Sequence, residues 1–186
     1  MAVRDPEDSR RRILAAATAE FANYGIAGAR MDRVAERAAS SKERIYAYFG
    51  NKDRLFDIVF TASAQQTLES VRFDAADLPG YAGRMFDYFA EHPHAQRLTM
   101  WYRLERPHGP GLAVVHAANH DRLAALAAAQ AEGRLSPDFT PAELLTLIQS
   151  MAASWNSLNP EFAASAEMGG QPDRRTAVVR AVARLV

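Results

Sequence analysis

Hydrophobic positions recur every three or four residues along most of the chain, and no stretch shows the period of two that a half-buried strand requires. The first apolar stripe ends at Gly25, a residue type that often terminates helices, and predicts a helix over about residues 8–24. Its members are Ile13, Leu14, Ala17, Phe21 and Tyr24. Because helical spacing continues throughout, the pattern predicts an all-α fold.

Two short amphipathic segments follow, separated only by Ala39, Ser40 and Ser41. The first is marked by Met31, Val34, Ala35 and Ala38, and the second by Ile45, Tyr46 and Phe49. Two short helices joined by about three residues and supported by longer apolar helices are typical of a helix-turn-helix. The first helix of such a pair braces the second, which can enter the major groove of DNA.

The second short helix divides into an apolar and a polar face. Ile45 and Phe49 are four residues apart and are expected to point inward. The outward set combines cations, phenolic hydroxyls and a small apolar side chain: Lys42, Glu43, Arg44, Tyr46, Ala47 and Tyr48. These groups suit phosphates, base edges and a thymine methyl.

Either Ser40 or Ser41 can cap this helix, and Ser40-x-x-Glu43 matches a capping box. Glu43 therefore has two interpretations. It is either a cap residue or an acceptor for a cytosine amine.

A fourth helix is expected over residues 52–73, followed by a hinge at Leu78, Pro79 and Gly80. Further helices are predicted at about residues 79–91, 94–105, 111–132, 140–157 and 173–185, with prolines marking the loops between them. We therefore expect a DNA-binding domain over residues 1–56, linked by helix 52–73 to a second domain over residues 57–186.

Composition narrows the function classes. The 186-residue chain has no Cys, which excludes disulfides, cysteine zinc sites and thiol catalysis, and agrees with a cytoplasmic protein. Neither a secretory signal nor an apolar run of about 18 residues is present, so we expect no export and no membrane insertion. The net charge of zero argues against a protein that coats DNA without regard to sequence.

Residues 11–56 resemble the DNA-binding domain of the tetracycline-repressor (TetR) family of transcriptional regulators. The resemblance rests on the spacing of the first helix, the Gly25 break, Val34-Ala35, Ser41-Lys42, Ile45-Tyr46-x-x-Phe49 and Lys52-x-x-Leu55-Phe56. It implies a repressor that binds a double-stranded, palindromic operator as a homodimer and releases it when a small effector binds.

The resemblance also assigns roles to individual residues. Tyr46, Tyr48 and Lys52 match positions that usually hold phosphates, and Lys42, Glu43 and Arg44 match positions that usually face bases. Ser41 belongs to the same motif, and Arg30 stands where a Thr commonly caps the bracing helix and contacts the DNA backbone.

Besides Arg30, two further substitutions depart from the family pattern. Ala39 replaces the Gly usual in the turn, which would cost about 1 kcal/mol if the backbone there is left-handed. Asp32 stands where a basic residue is sometimes found. We expect Asp32 to point away from DNA or to pair with Arg33 or Arg37.

The second domain resembles the family's effector-binding and dimerising domain, which has no comparable motif. We predict a binding site for an apolar or aromatic effector, lined by Met85, Phe89, Trp101, Leu104 and Trp155. Ordinary core packing explains any one of these residues as well. Apolar stripes near the end of the chain suit a two-fold four-helix interface, and predict dimer contacts from Leu144, Leu147, Ile148, Met151, Val178, Val182 and Leu185.

Other chemistry is weakly represented. His116 and His120 are four residues apart but have no evident third ligand, so we predict no metal site and no cofactor. Phosphate-binding loops and catalytic elbows are absent, and we predict no enzyme activity. Two alternatives stay open: an all-α small-molecule-binding protein or enzyme with a relic helix-turn-helix, and an architectural DNA-binding protein.

Overall fold

The computed structural model describes residues 5–155 and 170–186, and every regular element within them is helical. The helices are α1 (Pro6–Gly28), α2 (Met31–Arg37), α3 (Lys42–Phe49), α4 (Lys52–Ser70), α5 (Leu78–Glu91), α6 (Pro93–Glu105), α7 (Ala113–Ala131), α8 (Pro141–Ala152) and α9 (Gln171–Ala183). A 3-10 turn at Pro110–Leu112 precedes α7. The predicted all-α class is confirmed.

Helix α1 is interrupted where the sequence predicts its end. Gly25 has φ 64° and ψ −174°, a backbone conformation that residues with a Cβ rarely adopt. A short helical segment continues beyond it to Gly28. The N-terminus is capped by Asp5, whose side chain accepts a hydrogen bond from the Glu7 N–H at 3.0 Å.

Helix α4 ends at Ser70, three residues before the predicted end at 73. Beyond it, Val71 is buried, and the ring of Phe73 meets Tyr81 edge-on with 5.1 Å between ring centroids. These side chains pack in the core from a non-helical segment, and apolar spacing alone cannot distinguish that from one more helical turn. Helix α8 likewise ends at Ala152 rather than at 157, and the predicted positions 156–157 lie outside the described residues.

The chain divides into two compact units. The N-terminal unit comprises Met1–Gln65 and His94–Val114, and the C-terminal unit comprises Gln66–Pro93 and Val115–Val186. Helix α6 thus belongs with the N-terminal helices, whereas the sequence assigned it to the second domain. The reason is packing, because Tyr102 of α6 is fully buried with its ring stacked on Phe60, the ring centroids 3.9 Å apart.

In the C-terminal unit, α5 packs against α8 and α9. Its core includes Leu78, Tyr81, Leu126 and four residues that the sequence placed in the dimer interface, Leu144, Ile148, Val178 and Val182. Those four are 0–1% exposed in the single chain, so they have almost no surface left to bury against a second copy. In the single chain these four residues pack in its own core, because one apolar stripe serves a chain's own core as well as it serves an interface.

Candidate nucleic-acid interface

Helix α2 is held on α1 by a buried carboxylate. Glu20 is 1% exposed and accepts hydrogen bonds from the Arg30 N–H at 2.8 Å and from Arg33 Nε at 2.8 Å. Arg30 occupies the N-cap position of α2 without a side-chain capping bond. The replacement of the family's Thr by Arg30 therefore does remove the usual cap, and Glu20 of the preceding helix holds the cap residue's N–H instead.

Burial alone would raise the pKa of Glu20. The hydrogen bonds from Arg33 and Arg30 and the charges of Arg33 and Arg37 outweigh it, so the pKa lies below its ordinary value. Glu20 is therefore a carboxylate at neutral pH, and it fixes the start of α2 electrostatically as well as by geometry.

The turn between α2 and α3 has the strained backbone that its sequence suggests. Ala39 has φ 46°, the only positive φ of a non-glycine residue in the part of the chain that the structure describes. A left-handed alanine brings Cβ close to the neighbouring carbonyl oxygen, which costs about 1 kcal/mol or more. Arg12 of α1 donates a hydrogen bond from Nη1 to the Ala38 carbonyl at 3.2 Å, so α1 supports this turn directly.

Helix α3 begins one residue later than a Ser40 capping box requires. Ser41 is the N-cap, and its hydroxyl accepts a hydrogen bond from the Arg44 N–H at 3.2 Å. The predicted Ser40-x-x-Glu43 box is therefore wrong, and Ser40 Oγ is buried without a hydrogen-bond partner. Ser41 itself, predicted from the family motif, lies exposed at the start of the helix.

The two faces of α3 are as predicted. Ile45 and Phe49 are 0% and 2% exposed, whereas Tyr46 and Tyr48 are 38% and 42% exposed. Exposed side chains run along the rest of this face, at Glu43, Arg44 and Ala47. We call the exposed set Ser41, Glu43, Arg44, Tyr46, Ala47 and Tyr48 the recognition face.

Lys42 pairs with an acid rather than standing free. Its Nζ lies 2.7 Å from Asp32 Oδ1, and this hydrogen bond raises the pKa of Lys42. The expectation that Asp32 pairs with Arg33 or Arg37 was therefore wrong, because Arg33 is engaged by Glu20 and Lys42 comes within reach across the turn. Both partners are well exposed, so the pair contributes little to stability and can exchange for a phosphate.

The remaining predicted DNA contacts flank α3. Arg30 is exposed immediately before α2, and Lys52 is half-buried at the first position of α4. Gly50 ends α3 at φ 84°, and the Asn51 side chain accepts a hydrogen bond from the Arg54 N–H at 2.8 Å. This tight connection fixes the start of α4, and with it Lys52, relative to the end of α3.

Three residues on one face of α6 contact the kink of α1, and the sequence analysis did not predict these contacts. Arg97 donates from Nε to the Ala22 carbonyl at 2.9 Å, and Glu105 accepts from the Ile26 N–H at 2.6 Å and the Ala27 N–H at 3.1 Å. Between them, Trp101 lies so close to Gly25 that a Cβ there would be 2.7 Å from the indole. Arg97 thus satisfies carbonyl groups before the kink and Glu105 satisfies N–H groups after it, while Trp101, between them on the same face of α6, covers Gly25.

A second polar cluster joins α4 to α6. Arg106 donates from Nε and Nη2 to the two oxygens of Asp57 at 2.7 and 2.9 Å, and Tyr102 donates its hydroxyl hydrogen to Asp57 Oδ1 at 2.7 Å. The Tyr102 oxygen accepts the Gly111 N–H at 2.9 Å. Burial and the bond to Asp57 raise the pKa of Tyr102, so its hydroxyl remains a donor at neutral pH.

The five predicted effector-binding residues are divided between the units. Met85, Phe89 and Trp155 belong to the C-terminal unit, whereas Trp101 and Leu104 belong to the N-terminal unit. Met85 is buried, Phe89 and Trp155 are half-buried, and Leu104 is 70% exposed. Trp101 is already packed on Gly25.

Of the predicted dimer contacts, three retain accessible surface. Leu147 is 38% exposed, and Met151 and Leu185 are half-buried. Within the described ranges, no three potential ligands gather into a metal-binding group, and no helix is both long and apolar enough to cross a membrane.

Comparison with known proteins agrees with this arrangement. Residues 13–59 match the family described as bacterial regulatory proteins, tetR family, and residues 77–184 match the tetracyclin repressor-like C-terminal domain. The HTH-type transcriptional repressor SCO4008 of Streptomyces coelicolor is 37% identical, in an alignment covering 100% of this chain and 99% of that protein. The HTH-type transcriptional repressor NicS of Pseudomonas putida is 30% identical, over 80% of this chain and 76% of its own.

A solved structure is similar over nearly the whole length. The putative transcriptional regulator SCO4942 from Streptomyces coelicolor superposes with a TM-score of 0.85 and 42% identity, covering 95% of this chain and 97% of that one. This is a family of transcriptional regulators rather than of enzymes. With its helix-turn-helix and its helical C-terminal domain both matched, the chain belongs to the TetR family and is a DNA-binding transcriptional repressor.

Proposed function

We propose that the protein is a cytoplasmic, ligand-responsive repressor that binds a palindromic operator as a homodimer. Each copy inserts α3 into a major groove, and two copies reach grooves about 34 Å apart. The observation that carries this proposal is the division of α3. Ile45 and Phe49 anchor the helix in the core, while Arg44, Tyr46 and Tyr48 are left exposed on its other side.

Individual roles follow from chemistry and position. Arg44 presents a guanidinium that can bind guanine O6 and N7 in bidentate fashion, and Glu43 can accept a hydrogen bond from a cytosine amine. Lys42 also contacts base edges, once its ion pair with Asp32 is broken. Phosphate contacts come from Arg30, Ser41, Tyr46, Tyr48 and Lys52.

The effector site belongs, in this proposal, to the C-terminal unit. Met85, Phe89 and Trp155 supply apolar surface there, and a bound effector shifts the chain toward a form with lower operator affinity. Trp101 and Leu104 have no part in this narrowed set. Trp101 instead packs on Gly25, and Leu104 lies exposed on α6.

The dimer interface that we propose uses the accessible members of the terminal stripes. Leu147 and Met151, one turn apart on α8, and Leu185, just beyond α9, can be covered by the same residues of a second copy. A two-fold interface is self-complementary, so each apolar side chain would serve twice.

Selection of genomic fragments on the purified protein, followed by sequencing, tests the DNA-binding part. The enriched fragments should share a palindrome. On that site, Arg44→Ala should weaken binding about 5- to 150-fold for each half-site and relax preference at one base pair of each, since one bidentate base contact is worth roughly 1–3 kcal/mol.

Lys52→Ala should behave differently, weakening binding to specific and random DNA alike and reducing the salt dependence by about one counterion for each half-site. Arg103→Ala, which removes an equal charge from an exposed position on α6, is the matched control and should leave binding nearly unchanged. Enrichment without a palindrome, or equal effects of Arg44→Ala and Arg103→Ala, would contradict the proposed recognition.

A further inference from the structure

Arg122 of α7 is a buried cation in the core of the C-terminal unit. It is 9% exposed, and its guanidinium carbon lies 5.7 Å from the centre of the Phe73 ring and 5.5 Å from that of Tyr81. Its one hydrogen bond with a described residue runs from Nη1 to Asn119 Oδ1 at 3.3 Å. Over residues 5–155 and 170–186, no carboxylate forms an ion pair with it.

Three other arginines, all more exposed than Arg122, are paired with acids. Arg33 is neutralised by Glu20, Arg106 by Asp57 and Arg175 by Asp87. Arg84, whose charge acts on Tyr81, is bound to Asp77 at 3.1 Å and so adds no net charge. Among the described residues, the region around Tyr81 therefore carries one positive charge without an ion-pair partner, that of Arg122.

The Tyr81 side chain adds a second unsatisfied group at the same place. Tyr81 is 0% exposed, and its hydroxyl is buried without a partner in hydrogen-bonding geometry, although Gln149 of α8 is near enough to influence it. Burial raises the pKa of Tyr81 despite the opposing charge of Arg122, so the hydroxyl keeps its proton at neutral pH. A buried hydroxyl and a buried guanidinium thus lie on neighbouring side chains, and no carboxylate among the described residues pairs with either.

Such an arrangement is unfavourable for folding. A buried charge without a partner is unfavourable, and aromatic faces compensate only part of its lost hydration. An anion that accepts hydrogen bonds from both groups would remove both deficits at once. The guanidinium has five N–H donors in a planar fork that matches a carboxylate.

We propose that Arg122 and Tyr81 bind the carboxylate of a small organic acid whose apolar body packs beside Phe73. One negative charge balances Arg122, whereas a doubly charged phosphate would leave a surplus charge buried. The apolar body has suitable neighbours, since Phe73 and Tyr81 contribute rings and Met85 is one turn along α5 from Tyr81. This inference rests on the proposed effector site and specifies the class of effector that it would take.

The test uses the full-length protein and three probe pairs at matched ionic strength: benzoate and benzamide, phenylacetate and phenylacetamide, hexanoate and hexanamide. At least one carboxylate should raise the melting temperature in a concentration-dependent way, while its amide should not. Arg122→Met should weaken binding of that carboxylate at least tenfold. Tyr81→Phe should weaken its binding several-fold, because this substitution removes one hydrogen-bond donor and leaves the ring.

The ligand-free variants give an independent measurement. Arg122→Met should melt at or above the parent's temperature, because it removes an unpaired buried charge and keeps a side chain of similar length. Arg175→Met is the matched control, since it breaks the pair with Asp87 in the same unit. Because that pair is well exposed, the variant should melt at or slightly below the parent's temperature and leave the carboxylate response intact.

Two results would overturn the proposal. The first is that Arg122→Met melts clearly below both the parent and Arg175→Met, which would make the guanidinium a structural partner of the rings. The second is that none of the carboxylates stabilises the parent. DNA retention measured on the same samples separates this site from the repressor function. Stabilisation that depends on Arg122 supports the site even where DNA stays bound, and in that case the ligand response of the proposed function fails.

Discussion

The strained alanine in the turn between α2 and α3 predicts that Ala39→Gly stabilises the protein. Ala39 has φ 46°, and relieving a left-handed alanine returns about 1–2 kcal/mol. Glycine also gives the unfolded chain more freedom, which offsets roughly 0.5–1 kcal/mol of that gain. The expected net stabilisation is therefore about 0.5–1 kcal/mol.

Urea unfolding at a fixed protein concentration measures this change. With a slope of about 2 kcal/mol per molar urea, the midpoint should rise by roughly 0.2–0.5 M while the slope stays the same. The matched control is the preceding residue. Ala38 is buried and has φ −80°, so Ala38→Gly gains no relief, loses a buried methyl and should lower the midpoint.

A lower midpoint for both variants would refute the strain argument, because it would show that position 39 responds to glycine as an ordinary helix end does. DNA affinity offers a second check. Glycine adopts the same turn without strain, so Ala39→Gly should bind the selected DNA site within a few-fold of the parent.

Two further predictions concern the interface and the support of α2. Leu147 is 38% exposed, so Leu147→Glu should give a folded monomer in light scattering and circular dichroism. Val182 is 0% exposed, so Val182→Glu should unfold the C-terminal unit. A folded, dimeric Leu147→Glu variant would place the interface elsewhere. Because the pKa of Glu20 is lowered on folding, the stability it contributes is complete above about pH 5 and is lost as the pH falls through about 4.3 toward the folded-state pKa. Glu20→Gln should therefore be less stable than the parent at pH 7, and the difference should shrink below pH 4 in denaturation measured across that range; a constant difference would mean that the carboxylate charge has no role.

Local patterns were sufficient to predict the DNA-binding helices. Ile45 and Phe49 are four residues apart, so their burial and the exposure of Tyr46 and Tyr48 follow from helical geometry alone. The break at Gly25 was also predictable from a local signal, because glycine often ends a helix and only a residue without Cβ fits there easily.

Long-range partners could not be predicted in this way. Glu105 and Ile26 are 79 residues apart in the chain, and no periodicity connects them. The stripe on α8 posed a different problem, since Leu144, Leu145, Leu147 and Ile148 give the helix apolar residues on more than one side. Spacing shows that such a helix is buried on several sides, and it cannot show which side faces the chain's own core.

The contacts between α6 and the kink of α1 limit how the DNA-binding segment of this repressor can be fused to the C-terminal domain of another. A fragment ending at residue 56 would lack Arg97, Trp101 and Glu105, so the backbone groups around Gly25 would lose their hydrogen-bonding partners and the kink would lose its cover. A chimera that exchanges only the N-terminal segment would inherit a foreign α6 against its first helix. Engineers who wish to transplant this operator specificity into another sensor should move the three α6 side chains together with helices α1 to α3.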